Sequence, residues 1–391
     1  MRGFGSARAF FQDLRPPSDP TRAGWALLMH KDDEVRLRLL LEPLVTHRKS
    51  QAKGDGRVEV HIFDQNLVPE AWLRQHVVGS DHPYYNLIAA SPGRISFRFQ
   101  HLLDVRCAVG RLWFETDREF ENYVSGILTA ERGRGLIHAP KAVVFASDHD
   151  EATHISRGQM VEPLRKKLKT DFNNIEYLIG QDATKGKLCE ILSRQDKPAL
   201  VFTASHGLAV PKADPRQREM QGSLVCQDSR NSGYFGGNEI DAQCNLNGGI
   251  FFSFACYGAG TPSRSDFWHW IQNPDWQARL SMYEAPSDFL AHLPAQLLGT
   301  ANSALAFIGH IDPAWTYSFL EPTTEEQRIY PFQAALVRIL QGLPVGYAVK
   351  EFNEEYATLN SDLLNMQIEY EEMNAGNQRP SPFWDTQLAD V

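Results

Sequence analysis

The chain has 391 residues, 42% of them hydrophobic and 22% charged, with a formal net charge of −9. That length buries full cores for two to three compact units, and the composition is that of a soluble globular protein. The acidic balance gives no basic field for a phosphate backbone, so nucleic acid is not an expected partner, and no run approaches the ~20 apolar residues of a bilayer crossing, so neither is a membrane.

Met1 to Pro17 mixes Arg, Gly and Phe and lacks the apolar core of a secretory signal. Three runs then read as strands: Trp25–Met29, Val58–Phe63 and Tyr85–Ala90. From Thr116 to Arg132 the apolar residues Phe120, Tyr123, Val124, Ile127 and Leu128 follow helical spacing. Gly133, Gly135 and Pro140 interrupt that pattern, which puts a boundary near residues 132–140. A fresh strand, Ala142–Ala146, opens the second unit, followed by a helix with Val161, Leu164 and Leu168 on one face.

Ile175–Ile179 is the next strand, and a helix around Leu188 to Leu192 leads into Ala199–Thr203. Gly249–Phe254 and Ala304–Ile308 complete the set. Alternation of short apolar runs with amphipathic helices predicts an α/β fold: a doubly wound, mainly parallel sheet preceded by a smaller N-terminal α/β subdomain. The expected units are 1–136, a catalytic unit over 137–349, and a C-terminal acidic helix to about Met373 with a tail, over 350–391. Two long irregular insertions, Ala209 to Gln221 and Thr261 to Pro286, interrupt the second unit; loops of that length in a compact domain are usually functional or mobile.

The five cysteines are odd in number and in no framework spacing, which points to reduced thiols and a cytoplasmic setting. Cys107, Cys189, Cys226 and Cys244 read as packing residues, and with no CxxC pair no metal or other cofactor is expected. Cys256 differs. It ends the run Phe251-Phe-Ser-Phe-Ala-Cys256 and opens into Tyr-Gly-Ala-Gly260, while Leu200-Val-Phe-Thr-Ala-Ser-His206-Gly207 ends the preceding strand.

A thiol with an ordinary pKa near ~8.5 needs a neighbouring base to become a nucleophile at neutral pH, and two adjacent parallel strands deliver both side chains to one sheet edge. Gly207 lets the backbone approach a substrate carbonyl and present its N–H, with the Cys256 amide as second donor of an oxyanion hole. Singly, such a His is as readily a turn residue and such a Cys a core residue. Together, at two strand ends with Gly-bearing loops, they read as a site.

His-Gly followed by Ala-Cys on successive strands, 256 − 206 = 50 residues apart, resembles the caspase-related cysteine peptidases of clan CD. The gingipain family is most similar. Leu103-Asp-Val-Arg-Cys-Ala-Val-Gly110-Arg111-Leu112 and the helix from Tyr123 to Glu131 resemble the segment that closes the gingipain N-terminal subdomain, and Ala304-Leu-Ala-Phe-Ile-Gly309-His310 resembles the strand after the catalytic Cys. Across roughly residues 80–350 the resemblance implies a caspase/gingipain-like fold of two adjacent subdomains, only the second catalytic. It implies a cysteine endopeptidase acting on proteins or peptides with a Cys256–His206 dyad. The gingipain signal peptide and adhesin regions are not visible in this sequence, and the intervals flanking the dyad differ in length.

The resemblance also implies a basic P1 residue held by carboxylates after the first strand of the catalytic unit, here Ser147-Asp148-His149-Asp150-Glu151. Asp148 and Asp150 divide substrate pairing and orientation of His206 in either order, or only cap the following helix. Trp315, in Asp312-Pro-Ala-Trp315, is placed as a wall of the same pocket, and Asp228 is a further acidic candidate. The loop with Lys212, Arg216 and Arg218 holds the residue types expected at P1, so it reads either as a solvated charged loop or as a site of self-cleavage or of an upstream activating protease, as in a regulatory or defence cascade. Two rivals stand beside this reading: a metal-dependent hydrolase using His149, Asp150 and His154 with His206 or His310, and a catalytically silent scaffold that binds a partner.

Overall fold

In the computed structural model the strands of both sheets run parallel, and each sheet is covered on both faces. The structure describes residues 17–54, 56–64, 68–134, 141–269, 273–321, 324 and 326–355. The four-stranded sheet contains β1 (Trp25–His30), β2 (Val58–Phe63), β3 (Tyr85–Ala89) and β4 (Ala108–Leu112) in the order β2-β1-β3-β4. One face packs on α1 (Glu34–Gln51) and α4 (Asp117–Thr129) through Leu37, Leu41, Phe120 and Val124. The other packs on α2 (Pro69–His76) and α3 (Phe97–Asp104) through Trp72, Phe99 and Leu103.

The five-stranded sheet is built from β5 (Ala142–Ala146), β6 (Ile175–Ile179), β7 (Leu200–Ala204), β10 (Ile250–Phe254) and β11 (Ala306–Gly309), in the order β11-β10-β7-β5-β6. All five residues of β5, β7 and β10 are buried, which is why these strands read as unbroken apolar runs. The covering helices are α6 (Glu162–Asp171) and α10 (Tyr330–Leu340) on one face, α7 (Lys185–Ser193) and α9 (His292–Gly299) on the other. A further helix, α5 (Glu151–Ser156), leaves the end of β5.

The sheets are joined through α4. Tyr123 Oη donates to the Leu305 carbonyl at 3.0 Å and Asn122 Nδ2 to the Gly299 carbonyl at 2.8 Å. Arg111, in the segment that carried the gingipain resemblance, donates to the Ala90 and Ser96 carbonyls and ties β4 to the loop before α3. The boundary expected at residue 136 and the helix expected to run to Met373 lie outside the described residues, apart from helix at 350–355. The 261–286 insertion is not wholly irregular: α8 (Pro274–Tyr283) starts at an Asn273 cap. No helix among the described residues is long and apolar enough to cross a membrane.

Candidate functional site

Strand register brings the site together. Ala146 pairs with Ala204, and Ala204 with Phe254. Two residues past these partners stand Asp148, His206 and Cys256, at the C-terminal ends of three neighbouring strands. In chain order the sheet reads 2-1-3-4-5, so its topological switch point lies between β5 and β7, where open parallel sheets bind ligands. His206 Nε2 meets Asp150 Oδ2 there at 2.7 Å.

Asp150 does two things at once. Its Oδ1 accepts from the Thr153 amide at 3.0 Å and the Thr153 hydroxyl at 2.8 Å, capping α5, while Oδ2 faces His206. Burial pushes the carboxyl up, but the Thr153 bonds and the His206 ring outweigh it and hold Asp150 down to about 2. Asp148 is engaged elsewhere, with Arg157 Nε at 3.1 Å and His154 Nδ1 at 3.2 Å. Its main chain is clasped by Gln227, whose side chain accepts from the Asp148 amide and donates to its carbonyl. Asp228 accepts from the Lys185 amide at 2.8 Å and anchors the start of α7.

Gly207 belongs to a short antiparallel pair, β8 (His206–Gly207) with β9 (Leu224–Val225). A Cβ at Gly207 would lie 1.8 Å from the Cys256 carbonyl oxygen and 2.9 Å from its nitrogen, so the two main chains touch there and only glycine fits. Cys256 as a residue is half-buried, while its sulfur is shielded from solvent. Burial pushes the thiol up, and the Ala314 amide, 3.3 Å from Sγ, together with the Gly207 amide, acts to lower it. Directly after it Tyr257 takes φ 58°, in the left-handed region that non-glycine residues seldom visit, with its amide bonded to the Asp312 carbonyl at 3.2 Å.

A second acidic group lies on this side of the sulfur. Asp312 is 8% exposed, and its Oδ2 accepts from the Ser265 hydroxyl and the Asp266 amide, both at 2.9 Å. Its Oδ1 is buried and has no partner among the described residues. Burial pushes Asp312 up to about 7; the Ser265 and Asp266 bonds oppose this, and the negative charges of Asp266 and Glu284 add to it. Trp315 lies edge-on to Phe267 at 5.6 Å and parallel to Tyr317 at 6.3 Å. Trp315 Nε1 and Tyr317 Oη are also buried without a partner among the described residues. The sequence reading quoted Asp312 but gave it no role; its signal was an acidic residue beside Pro and Trp just past a parallel strand.

His149, Asp150 and His206 place ligand atoms within 4.8 Å of one another. His154 instead turns to Asp148, and His310 lies under Phe254, its ring pushed down to about 4 by burial. A cavity of about 820 Å³ sits between the two sheets and is bordered by none of Asp150, His206 and Cys256. The 209–221 insertion is strapped to the 261–286 insertion by buried Gln217, whose Nε2 donates to the carbonyls of Val210, Tyr283 and Glu284. Cys107, Cys226 and Cys244 are buried and Cys189 partly so, all with free thiols.

No family model matches the chain, and no curated protein does. A solved structure, "Structure of Protease", is similar with a TM-score of 0.51 at 11% identity, covering 85% of this chain and 73% of that one. At that identity the likeness is one of fold.

Proposed function

We propose that this protein is a cysteine endopeptidase of the gingipain-like type, with Cys256 as nucleophile and His206 as acid and base. One observation carries the reading: His206 and Cys256 stand at equal offsets past register partners on adjacent strands, with Gly207 against the Cys256 main chain. The fold likeness to a solved protease agrees with it. In this reading Cys256 Sγ gives its proton to His206 and attacks the scissile carbonyl. The amides of Gly207 and Cys256 hold the oxyanion. His206, oriented by Asp150, returns the proton to the leaving amine, then takes one from water as the acyl group is hydrolysed off the sulfur.

Basic P1 preference is part of the proposal, with Asp312 as its main determinant. Asp148 already has Arg157, whereas one Asp312 oxygen has no partner among the described residues and the negative charges of Asp266 and Glu284 act on the carboxyl. A guanidinium or ammonium entering there would supply the missing charge. Processing in the 209–221 insertion follows from the same preference, since Arg216 is exposed on a loop. The free thiols fit a reducing compartment such as the cytoplasm.

The metal-dependent rival keeps one observation, the His149, Asp150 and His206 cluster. A panel of fluorogenic peptides varying only at P1, with and without a thiol alkylator or a chelator, separates the two. Turnover of Arg and Lys peptides abolished by alkylation and indifferent to chelation is the expected result; the reverse sensitivity would transfer the site to a metal.

A further inference from the structure

The four-stranded sheet carries a cluster of imidazoles that the peptidase reading does not use. We propose that Glu59, His61 and His82 bind one divalent ion of the zinc class at the edge of that sheet. β2 is an edge strand, and its residues Glu59 and His61 share a face with Phe63, which is buried against Trp72 and Phe99. Their register partners on β1, Ala26 and Leu28, are fully buried. A carboxylate and an imidazole therefore occupy inward positions where the pattern of the sheet calls for apolar side chains.

One ligand atom from each of Glu59, His61 and His82 lies within 4.8 Å of the other two. Tetrahedral zinc with bonds of ~2.0–2.1 Å sets its ligands about 3.3 Å apart, so small side-chain rotations close the set. The tautomer of His82 is fixed in the way metal-bound imidazoles are. Its Nε2 lies 2.8 Å from Asn86 Oδ1, and Asn86 is buried with its Nδ2 donating to the Pro83 and Tyr84 carbonyls. Asn86 Oδ1 must then accept, His82 Nε2 carries the proton, and Nδ1 keeps a lone pair for the ion.

Glu59 is held likewise, between Arg57 Nε at 3.6 Å from Oε1 and His61 Nε2 at 2.9 Å from Oε2. His76, on α2, stands with its ring 5.4 Å from that of His61, outside the three-ligand set, so the fourth position falls to water. Two imidazoles and one carboxylate suit zinc over calcium or magnesium, which prefer all-oxygen sets. The ion would pin the edge strand to the loop before β3, so its effect is on stability.

The test is calorimetric titration of zinc into chelator-stripped protein carrying Cys256→Ala, so that the reactive thiol takes no ion, with thermal melts alongside. Saturable uptake of one ion and a raised Tm are expected. His61→Gln and His82→Gln should each lose more than roughly tenfold in affinity and the zinc-dependent rise in Tm, while their metal-free melts match the parent. His149→Ala, in the other His-containing cluster, should bind as the parent does. Should either Gln variant fail to fold, Glu59→Gln, which keeps the shape of the side chain, reads the same loss. Absence of saturable binding at micromolar zinc, binding that survives these substitutions, or loss on His149→Ala would overturn the proposal. None of these outcomes bears on the peptidase reading.

Discussion

Asp312→Asn separates the electrostatics of the pocket from its shape. The unfolded chain titrates this carboxyl near ~3.9, whereas burial places it at about 7 in the folded protein. Between those values the native state holds a proton that the unfolded chain has released, so the wild type loses stability as pH rises through that window, and the loss is complete above it. Across about three pH units at ~1.4 kcal/mol each, the whole effect is about 4 kcal/mol, of which about 2–3 kcal/mol falls between pH 5 and pH 8.

Asn keeps an oxygen for the Ser265 hydroxyl and the Asp266 amide but has nothing to titrate. The stability of the variant relative to wild type should therefore grow by about 2–3 kcal/mol from pH 5 to pH 8 in urea unfolding. A difference that stays constant over that range would mean that Asp312 is not a buried, unpaired acid. The same substitution should lower kcat/KM for Arg and Lys peptides by roughly 10–150-fold, the ~1.5–3 kcal/mol of one hydrogen bond to a charged group, and leave neutral P1 residues unaffected. Retained Arg turnover alongside the pH-dependent gain would take the pocket away from Asp312 and leave its buried charge in place.

Other substitutions act on the catalytic edge. Asp150→Asn keeps an acceptor for the Thr153 amide, so it should melt near the wild type while kcat/KM falls roughly 10–150-fold; Asp150→Ala should also lose about 1 kcal/mol with the cap. Equal activity in Asp150→Asn and wild type would reduce the residue to a helix cap. Gly207→Ala drives a Cβ into the Cys256 carbonyl, and a lowered Tm with loss of turnover is expected, at a cost of about 1–3 kcal/mol or more; a fully active variant would show that the two main chains are not in contact. Because burial raises the Cys256 thiol above its ordinary value near ~8.5, its alkylation rate, followed by mass spectrometry, should still be climbing beyond pH 9. A plateau near pH 7 would reveal a preformed thiolate instead.

Most of the framework is legible because its strands stand out as short runs rich in β-branched and apolar residues: Val58–Phe63, Ala142–Ala146 and Ile175–Ile179 match their observed bounds, the middle one buried throughout and the two edge strands largely half-buried. β4 was not read as a strand. Gly110 and the buried Arg111 interrupt its apolar run, and the guanidinium is satisfied by carbonyls far off in sequence, which no local pattern reveals. The placing of His206 and Cys256 at the ends of neighbouring strands followed from their positions just past apolar runs. The division of labour among the acidic residues did not, since it depends on whether an arginine six or more residues away reaches Asp148 and on which carboxylate is left unpaired. Asp312 owes its character to burial, with a hydrogen bond from Ser265 and the charge of Glu284 reaching it from a distant insertion, and Asp150 to a cap that uses only one of its two oxygens.

The left-handed turn at Tyr257 limits what can occupy that position. Its main chain would be eased by Gly or Asn, while its ring, 4% exposed, fills a space that neither would fill. No single replacement meets both demands: a smaller residue relaxes the backbone and leaves a void, and a bulky one keeps the packing and retains about 1–2 kcal/mol of conformational cost. Sequence variation at 257 should therefore be narrow even though the side chain performs no chemistry, and the residue after the nucleophile should be among the least tolerant in a saturation scan of this chain.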